Sequence, residues 1–306
     1  MNRREFIKGG IALGAAMALP DFNLFAQGAP LIQKKIPSSG EMIPVIGLGT
    51  ARRYEEVTSE AEKVPLRETI LKFKEVGLKV IDSSPSYGTA EAVVGEIAEG
   101  LKIRDSLFLA TKVSLRRGGK NEGLKQIDQS FKRLRTNKID LIAVHNLLDT
   151  QTQLATLREM KQAGRIRYVG ITTSFDNQYG EFEETMKKET LDFIQVDYAL
   201  DNRDAGTRII PLAGDRGMAV MINLPFGRGR LFKAVEGKKL PEWAAEFDCT
   251  SWPQFCLKYI VFHPAVTCAV PGMAKAEYVV DNVGAARGRL PDAAMRLRME
   301  QFVDDV

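Results

Sequence analysis

The stretch PLRETILKFKEVGLKVIDSS, residues 65–84, joins a helical pattern directly to a strand pattern. Apolar residues from Leu66 to Val76 recur at the spacing of one helix face. Pro65 and Gly77 predict where that helix opens and closes. The run that follows, residues 79–84, contains the consecutive apolar residues typical of a strand covered on both faces. The stretch therefore predicts one helix–strand unit.

The same apolar strand pattern recurs along the chain, with a helical pattern between neighbouring copies. The eight runs are residues 45–50, 79–84, 107–112, 139–146, 166–173, 193–200, 218–225 and 265–272. A doubly wound sheet usually has fewer strands, and the glycine turn at residues 47–52 lacks the third glycine of a dinucleotide fingerprint. Eight repeats instead predict an α/β fold, a closed (β/α)8 TIM barrel. Residues 32–44 predict a small N-terminal β-hairpin that closes the barrel bottom.

The composition is that of a soluble globular protein. The 306 residues are 44% hydrophobic and 27% charged, with a net charge of +4. No dense Lys/Arg stripe with interleaved aromatics occurs, so we expect no nucleic-acid partner. The three cysteines, Cys249, Cys256 and Cys268, form no CxxC pair, so we expect neither a disulfide framework nor a metal site.

The N-terminus differs in kind from the rest of the chain. Residues 1–20 have a basic head with adjacent Arg3 and Arg4, then an apolar segment too short to span a bilayer. This pattern resembles a twin-arginine export signal; the alternative is a chance basic head on a buried helix. With cleavage after Ala26, the predicted parts are a signal peptide (1–26), a linker (27–36) and the barrel (37–306). The signal implies a periplasmic or otherwise exported protein, the twin-arginine export machinery as a partner, and no membrane anchor after cleavage.

Ionisable residues stand at the ends of three consecutive predicted strands. Asp82 ends the second strand, Lys112 the third and His145 the fourth, and Tyr87 lies in the loop after Asp82. Each has an ordinary structural explanation: a turn, a lysine whose head reaches water, or a core histidine. In a barrel, however, the C-terminal strand ends meet at one rim, where active sites are found. Together these residues predict a catalytic site.

The four residue types form a chemically coherent set. A free tyrosine, with a pKa of about 10, is a weak acid at neutral pH. A nearby ammonium favours the phenolate, so Lys112 should lower the pKa of Tyr87. Asp82 would hold the lysine in place, and His145 could donate a hydrogen bond to a substrate oxygen. We therefore expect Tyr87 to act as the acid.

With these residues, the chain resembles the aldo/keto reductase family over residues 37–290. The matching segments are VIDSSPSYG, LFLATK, IDLIAVHN, IRYVGITT, IQVDYAL, LPFGRG and VPGMAKAEYVVDN. The resemblance implies an oxidoreductase that transfers hydride from C4 of a nicotinamide cofactor to the carbonyl carbon of an aldehyde or ketone. Asp82, Tyr87, Lys112 and His145 would be catalytic, with Tyr87 the general acid.

The resemblance also implies a cofactor site on the same rim. The residues assigned to it are Gly49, Thr50, Thr172, Thr173, Gln195, Asn223, Pro225, Phe226, Gly227, Gly229, Lys275, Asp281 and Asn282. Gln195 would hold the carboxamide, and Gly227 and Gly229 would lie in the loop that passes the pyrophosphate. The implied cofactor is NADP, with NAD as the alternative.

Three features depart from the family pattern. The threonine pair 172–173 stands where a serine–asparagine pair is usual, and Asn223 replaces an aromatic residue. Gly272 and Tyr278 occupy the positions of basic residues near the adenosine 2′-phosphate, which leaves Lys275 as the nearby cation. A single ammonium is a weaker phosphate ligand than a guanidinium. We therefore expect only a modest preference for NADP.

A second function stays open on the sequence alone. An exported barrel could bind a nicotinamide nucleotide with a regulatory or sensing role and little turnover. The complete set of four ionisable residues favours catalysis. The replacement of the usual aromatic residue by Asn223 and the export signal favour the alternative.

Overall fold

The computed structural model describes residues 29–305. The predicted signal peptide, residues 1–26, lies outside the described residues, as do residues 27 and 28 of the linker. The strands are β1 Gln33–Lys35, β2 Met42–Pro44, β3 Leu48–Gly49, β4 Val80–Asp82, β5 Phe108–Val113, β6 Ile139–His145, β7 Ile166–Thr172, β8 Phe193–Asp197, β9 Ala219–Asn223 and β10 Val266–Ala269. The helices are α1 Glu60–Glu75, α2 Ala90–Gly100, α3 Gly119–Arg133, α4 Thr150–Gln162, α5 Tyr179–Lys188, α6 Ile209–Asp215, α7 Arg230–Ala234, α8 Trp252–Phe262, α9 Ala276–Asn282 and α10 Ala293–Asp304. None of these helices is long and apolar enough to cross a membrane.

Helix α1 begins earlier than the sequence pattern predicts. Ser59 caps it: the Ser59 hydroxyl accepts from the backbone N–H of Glu62, and the Glu62 carboxylate accepts from the backbone N–H of Ser59. This reciprocal capping box places Pro65 inside the helix, so the expectation that Pro65 opens it was wrong. Gly77 does end it, because its φ of +89° is readily adopted only by glycine.

The eight predicted barrel strands form one parallel sheet in chain order, from β3 to β10. The two edges of that sheet meet through parallel bridges between Ile46 and Ala269 and between Gly49 and Gly272. The sheet is therefore a closed barrel, which confirms the predicted (β/α)8 fold. Because all eight strands run the same way, their C-terminal ends share one rim.

The hairpin of β1 and β2 covers the opposite end of the barrel. Ile36 and Ile43 are fully buried and join the apolar layer inside the barrel. The hydroxyl of Tyr168, which packs in that layer, lies 2.7 Å from the Ser39 hydroxyl and 2.8 Å from the Glu41 carboxylate. The barrel interior is thus filled at its N-terminal end, which confirms the predicted hairpin.

Candidate active site

A buried ion pair forms the floor of the C-terminal rim. Lys112 on β5 is 1% exposed, and its Nζ lies 2.7 and 2.9 Å from the carboxylate oxygens of Asp82 at the end of β4. The same ammonium donates to the backbone carbonyl of Ser83 at 2.8 Å. Burial alone would lower the pKa of Lys112, but the charge of Asp82 offsets this, and the pKa lies above its ordinary value. Lys112 therefore stays charged.

Tyr87 lies directly against this pair, with Lys112 Nζ 5.2 Å from the centre of its ring. Burial raises the pKa of Tyr87, and the ammonium of Lys112 opposes that rise without reversing it. The pKa predicted from the sequence was lower than the ordinary value, and that prediction was wrong because the cost of removing a phenolate from water exceeds the effect of the ammonium. Tyr87 is accordingly a protonated phenol at neutral pH.

The loop after β4 is locked in place by the loop after β3. Thr89 donates its backbone N–H to the Glu55 carbonyl at 2.9 Å and its hydroxyl to the Tyr54 carbonyl at 2.8 Å. Gly88 has a φ of +48°, and a Cβ at this position would lie 2.1 Å from the Glu55 carbonyl oxygen. Only glycine fits there, so the close approach of the two loops fixes Tyr87.

His145 completes the cluster from the end of β6. Its ring centre is 5.9 Å from that of Tyr87, and the two rings are nearly perpendicular. Its Nδ1 lies 3.2 Å from the Ser84 hydroxyl and 3.4 Å from that of Ser86. Burial, reinforced by the charge of Lys112, lowers the pKa of His145 to about 3. The imidazole is therefore neutral at physiological pH, and in the tautomer whose Nδ1 accepts from a serine the ring proton lies on Nε2.

Two amide side chains occupy the rim at β8 and β9. The oxygen of Gln195 accepts from the Thr172 hydroxyl at 2.9 Å, and among the described residues its nitrogen has a single hydrogen-bond partner, the weakly accepting sulfur of Met221 at 3.2 Å. The nitrogen of Asn223 donates to the Thr173 carbonyl at 3.1 Å. The Asn223 oxygen is buried and has no hydrogen-bond partner within residues 29–305. An unpaired acceptor and a poorly satisfied donor thus lie at one edge of the site.

These groups surround a cleft of about 430 Å³. The predicted site residues that line it are Gly49, Asp82, Tyr87, His145, Thr172, Gln195, Asn223, Pro225, Phe226 and Gly229. Thr50, Lys112 and Thr173 are buried and do not line the cleft themselves. Gly227 borders an adjoining cavity. A larger cavity of about 850 Å³ lies at the other end of the barrel, but Arg167 there is already paired with Asp140 and Glu41.

Three residues that the family pattern assigned to the cofactor lie apart from the cleft. Lys275 precedes α9 and lies 3.5 Å from the Glu277 carboxylate. Asp281 accepts from the Ser251 hydroxyl at 2.7 Å, and Asn282 is buried. Their assignment to the cofactor stays a prediction.

The cleft also contains residues that the sequence reasoning missed. Arg52, Arg53 and Glu55 line it from the loop after β3, and Arg228 lines it from the loop after β9. The carboxylate of Glu55 contributes to the raised pKa of Tyr87, after the larger effects of burial and of Asp82. The two adjacent arginines directly after the first predicted barrel strand indicate residues of the site, because the loops at this rim of a barrel form the active site.

Comparison with known proteins agrees with this fold. Residues 45–300 match the model of the aldo/keto reductase family, and residues 1–20 match that of the twin-arginine translocation pathway signal sequence. Aldo-keto reductase YhdN of Bacillus subtilis is 28% identical over 216 residues, which cover 66% of this chain and 63% of that protein. Methylglyoxal reductase YeaE of Escherichia coli is 27% identical over 272 residues, covering 87% of this chain and 93% of that protein. The NADH-specific methylglyoxal reductase of Escherichia coli is 24% identical over 285 residues, covering 76% and 86%.

Solved structures of the same family share the fold. An aldo-keto reductase from Klebsiella pneumoniae in complex with NADPH has a TM-score of 0.75 and 24% identity, covering 90% of this chain and 96% of that one. A second Klebsiella pneumoniae structure, with NADP and acetate, has a TM-score of 0.71 and 25% identity, covering 86% and 93%. Because the family model matches well over half of its length, the chain belongs to the aldo/keto reductase family.

Proposed function

We propose that this protein is an exported carbonyl reductase that uses a nicotinamide cofactor and in which Tyr87 is the general acid. The observation that carries the proposal is the cluster at the floor of the cleft: a protonated phenol against a buried Lys112–Asp82 ion pair, with a neutral His145 beside it.

The rim suits a nicotinamide carboxamide. A carboxamide offers N–H donors and a carbonyl acceptor, and these match the unpaired oxygen of Asn223 and the weakly engaged amide nitrogen of Gln195. Gln195 and Asn223 would hold that group. When bound, NADPH or NADH supplies the hydride that reduces a carbonyl carbon. NADP is the proposed cofactor, and NAD is the alternative.

The side chains of the cluster have distinct parts in the reaction. Neutral His145 donates a hydrogen bond to the substrate oxygen and so orients the carbonyl. Tyr87 gives its proton to that oxygen as negative charge develops there, which forms the alcohol. The transfer is favourable even with a raised pKa, because an alkoxide is a stronger base than a phenolate. Lys112 stabilises the resulting phenolate, Asp82 holds the ammonium in place, and solvent returns the proton to Tyr87.

The relatives suggest which carbonyl compounds to try first. Two of them are named methylglyoxal reductases. We therefore propose small aldehydes as the substrate class, with methylglyoxal the first compound to assay. The match of residues 1–20 to a twin-arginine signal supports export in the folded state to the periplasm.

The decisive experiment compares Tyr87→Phe with the wild-type protein. NADPH binding is measured by fluorescence titration, and reduction is measured with an aldehyde that the wild type turns over. The variant should bind NADPH almost normally while the rate falls at least about 100-fold, the scale of general acid catalysis. Tyr168→Phe, which removes a hydroxyl at the other end of the barrel, is the matched control and should react at close to the wild-type rate.

Two results would contradict the proposal. A Tyr87→Phe variant that reduces the aldehyde at the wild-type rate would show that Tyr87 is not the acid. Wild-type protein that binds NADPH but reduces no member of an aldehyde panel would favour the sensing role instead.

A further inference from the structure

We infer that Arg53 is a phosphate-binding residue of the cleft, which engages a phosphate group of the dinucleotide from the loop after β3. The inference rests on the proposed function, because it assumes that a nicotinamide dinucleotide binds here. The sequence pattern left Lys275 as the cation near the adenosine 2′-phosphate, whereas the inference places Arg53 at that phosphate or at the pyrophosphate.

The loop that carries Arg53 is tied to the segment after β10. Gly49 donates its N–H to the Pro271 carbonyl at 2.9 Å, and the hydroxyl of fully buried Tyr54 donates to the Met273 carbonyl at 3.1 Å. These contacts hold Arg53 in a fixed relation to residues 271–273. The backbone of Arg53 is therefore held at the wall of the cleft, and its exposed side chain lines the cleft.

The side chain of Arg53 runs beside Gly272, where the family pattern led us to expect a basic residue. A Cβ built on Gly272 would lie 3.4 Å from Cγ and 3.8 Å from Nε of Arg53. The Arg53 side chain thus lies along this wall, within van der Waals distance of the point where a side chain at residue 272 would begin. A guanidinium also offers a planar pair of donors that fits phosphate oxygens, which an ammonium does not.

The charge around the cleft is unbalanced. Arg52 and Arg53 line one side and Arg228 another, and neither Arg52 nor Arg53 has a carboxylate within ion-pair distance in the described part of the chain. Arg228 also lines the adjoining cavity beside Asp176, Asp197 and Asp201, so the uncompensated cations of the cleft are Arg52 and Arg53. Glu55 is the remaining acid of the lining, since Asp82 is neutralised by Lys112. Such an excess suits a ligand with several negative charges, which a phosphorylated dinucleotide carries and a small aldehyde does not.

Lys275 is poorly placed by comparison. Its side chain is 60% exposed, and its ammonium lies 3.5 Å from the Glu277 carboxylate and 5.7 Å from the centre of the Tyr278 ring. Arg53 is exposed as well, so the pairing distinguishes the two residues: a cation already paired with a carboxylate attracts a further anion less than one without such a partner.

The test is calorimetric titration of the full protein with four probes: NADPH, NADH, 2′,5′-ADP and ADP. Arg53→Ala should weaken binding of 2′,5′-ADP or ADP at least about tenfold, the scale of a lost charge-assisted hydrogen bond. Arg53→Lys should restore only part of that affinity. Arg117→Ala, which removes an exposed arginine outside the cleft, should change no probe by more than about twofold.

The probes distinguish the two phosphate sources. A loss confined to 2′,5′-ADP and NADPH would assign Arg53 to the 2′-phosphate and to the choice of NADP over NAD. An equal loss for ADP and NADH would assign it to the pyrophosphate. Both results support the inference.

Other results would overturn it. If Arg53→Ala binds every probe as the wild type does while Lys275→Ala binds 2′,5′-ADP more weakly, the phosphate-binding role belongs to Lys275. An Arg53→Ala effect confined to the KM of a carboxylate-bearing aldehyde would assign the residue to substrate. Wild-type protein that binds neither NADPH nor NADH would refute the proposed function, and the inference with it.

Discussion

Replacing Lys112 with methionine should separate the structural role of the buried ion pair from its chemical role. Methionine fills similar volume but leaves the carboxylate of Asp82, which is 7% exposed, without its cation. Removal of one partner from a buried pair costs about 3–5 kcal/mol of unfolding free energy, because an unpaired charge remains in a poorly solvated site. Here the ammonium makes two contacts with Asp82 and one with the Ser83 carbonyl, so we expect a loss within that range.

The double variant Asp82→Asn, Lys112→Met removes both charges and supplies the decisive comparison. Its unfolding free energy should return to within about 1–2 kcal/mol of the wild type, since no uncompensated charge is then buried. Its reductase activity should stay lost, because Tyr87 still lacks the ammonium that stabilises its phenolate. Asp82→Asn alone should reduce activity less than Lys112→Met does.

The assay is urea unfolding of the four proteins of the cycle, followed by circular dichroism, beside aldehyde reduction by each. The coupling free energy of the two substitutions should be at least about 2 kcal/mol. A Lys112→Met protein as stable as the wild type, or a double variant no more stable than the single, would refute the ion-pair argument. Recovery of activity in the double variant would refute the role given to the ammonium.

Three further outcomes can be measured. Glu55→Gln should lower the pKa of Tyr87, since the carboxylate disfavours the phenolate. The alkaline limb of the pH–rate profile should therefore move to lower pH. The control Glu56→Gln, which changes the exposed neighbouring carboxylate, should leave that limb in place. The pKa of His145 is about 3 in the folded protein against an ordinary 6.5, so the unfolded chain binds the proton first and stability falls as the pH drops below about 6.5. Burial lowers the pKa of His263 to about 4, so both proteins lose stability through that residue. Urea unfolding at pH 7 and pH 5 should therefore show the wild type losing about 1–2 kcal/mol more than His145→Gln, and equal losses in both proteins would contradict this. Replacement of both Arg3 and Arg4 by lysine should retain the protein in the cytosol, as judged by cell fractionation; unchanged recovery from the periplasm would contradict a twin-arginine signal.

Local patterns in the sequence were sufficient to predict the barrel fold. Each strand run and each helix face is a property of neighbouring residues, because apolar periodicity reports which side of an element is buried. The misplaced start of α1 could also have been read locally, since Ser59 and Glu62 have the spacing of a capping box. The meeting of Asp82, Lys112 and His145 followed from topology, because parallel strands in chain order bring their C-terminal ends to one rim.

The sequence by itself thus determined the fold, the family and which ionisable groups would meet. The tertiary structure alone decided how those groups behave. Burial outweighs the charge of Lys112 in setting the pKa of Tyr87, the oxygen of Asn223 is left without a partner, and Arg53 lies along the wall beside Gly272. Desolvation and the contacts between loops depend on residues more than a hundred positions apart, such as Arg53 and Gly272. No local pattern encodes those distances, so the electrostatics of the site can be read only once the chain has folded.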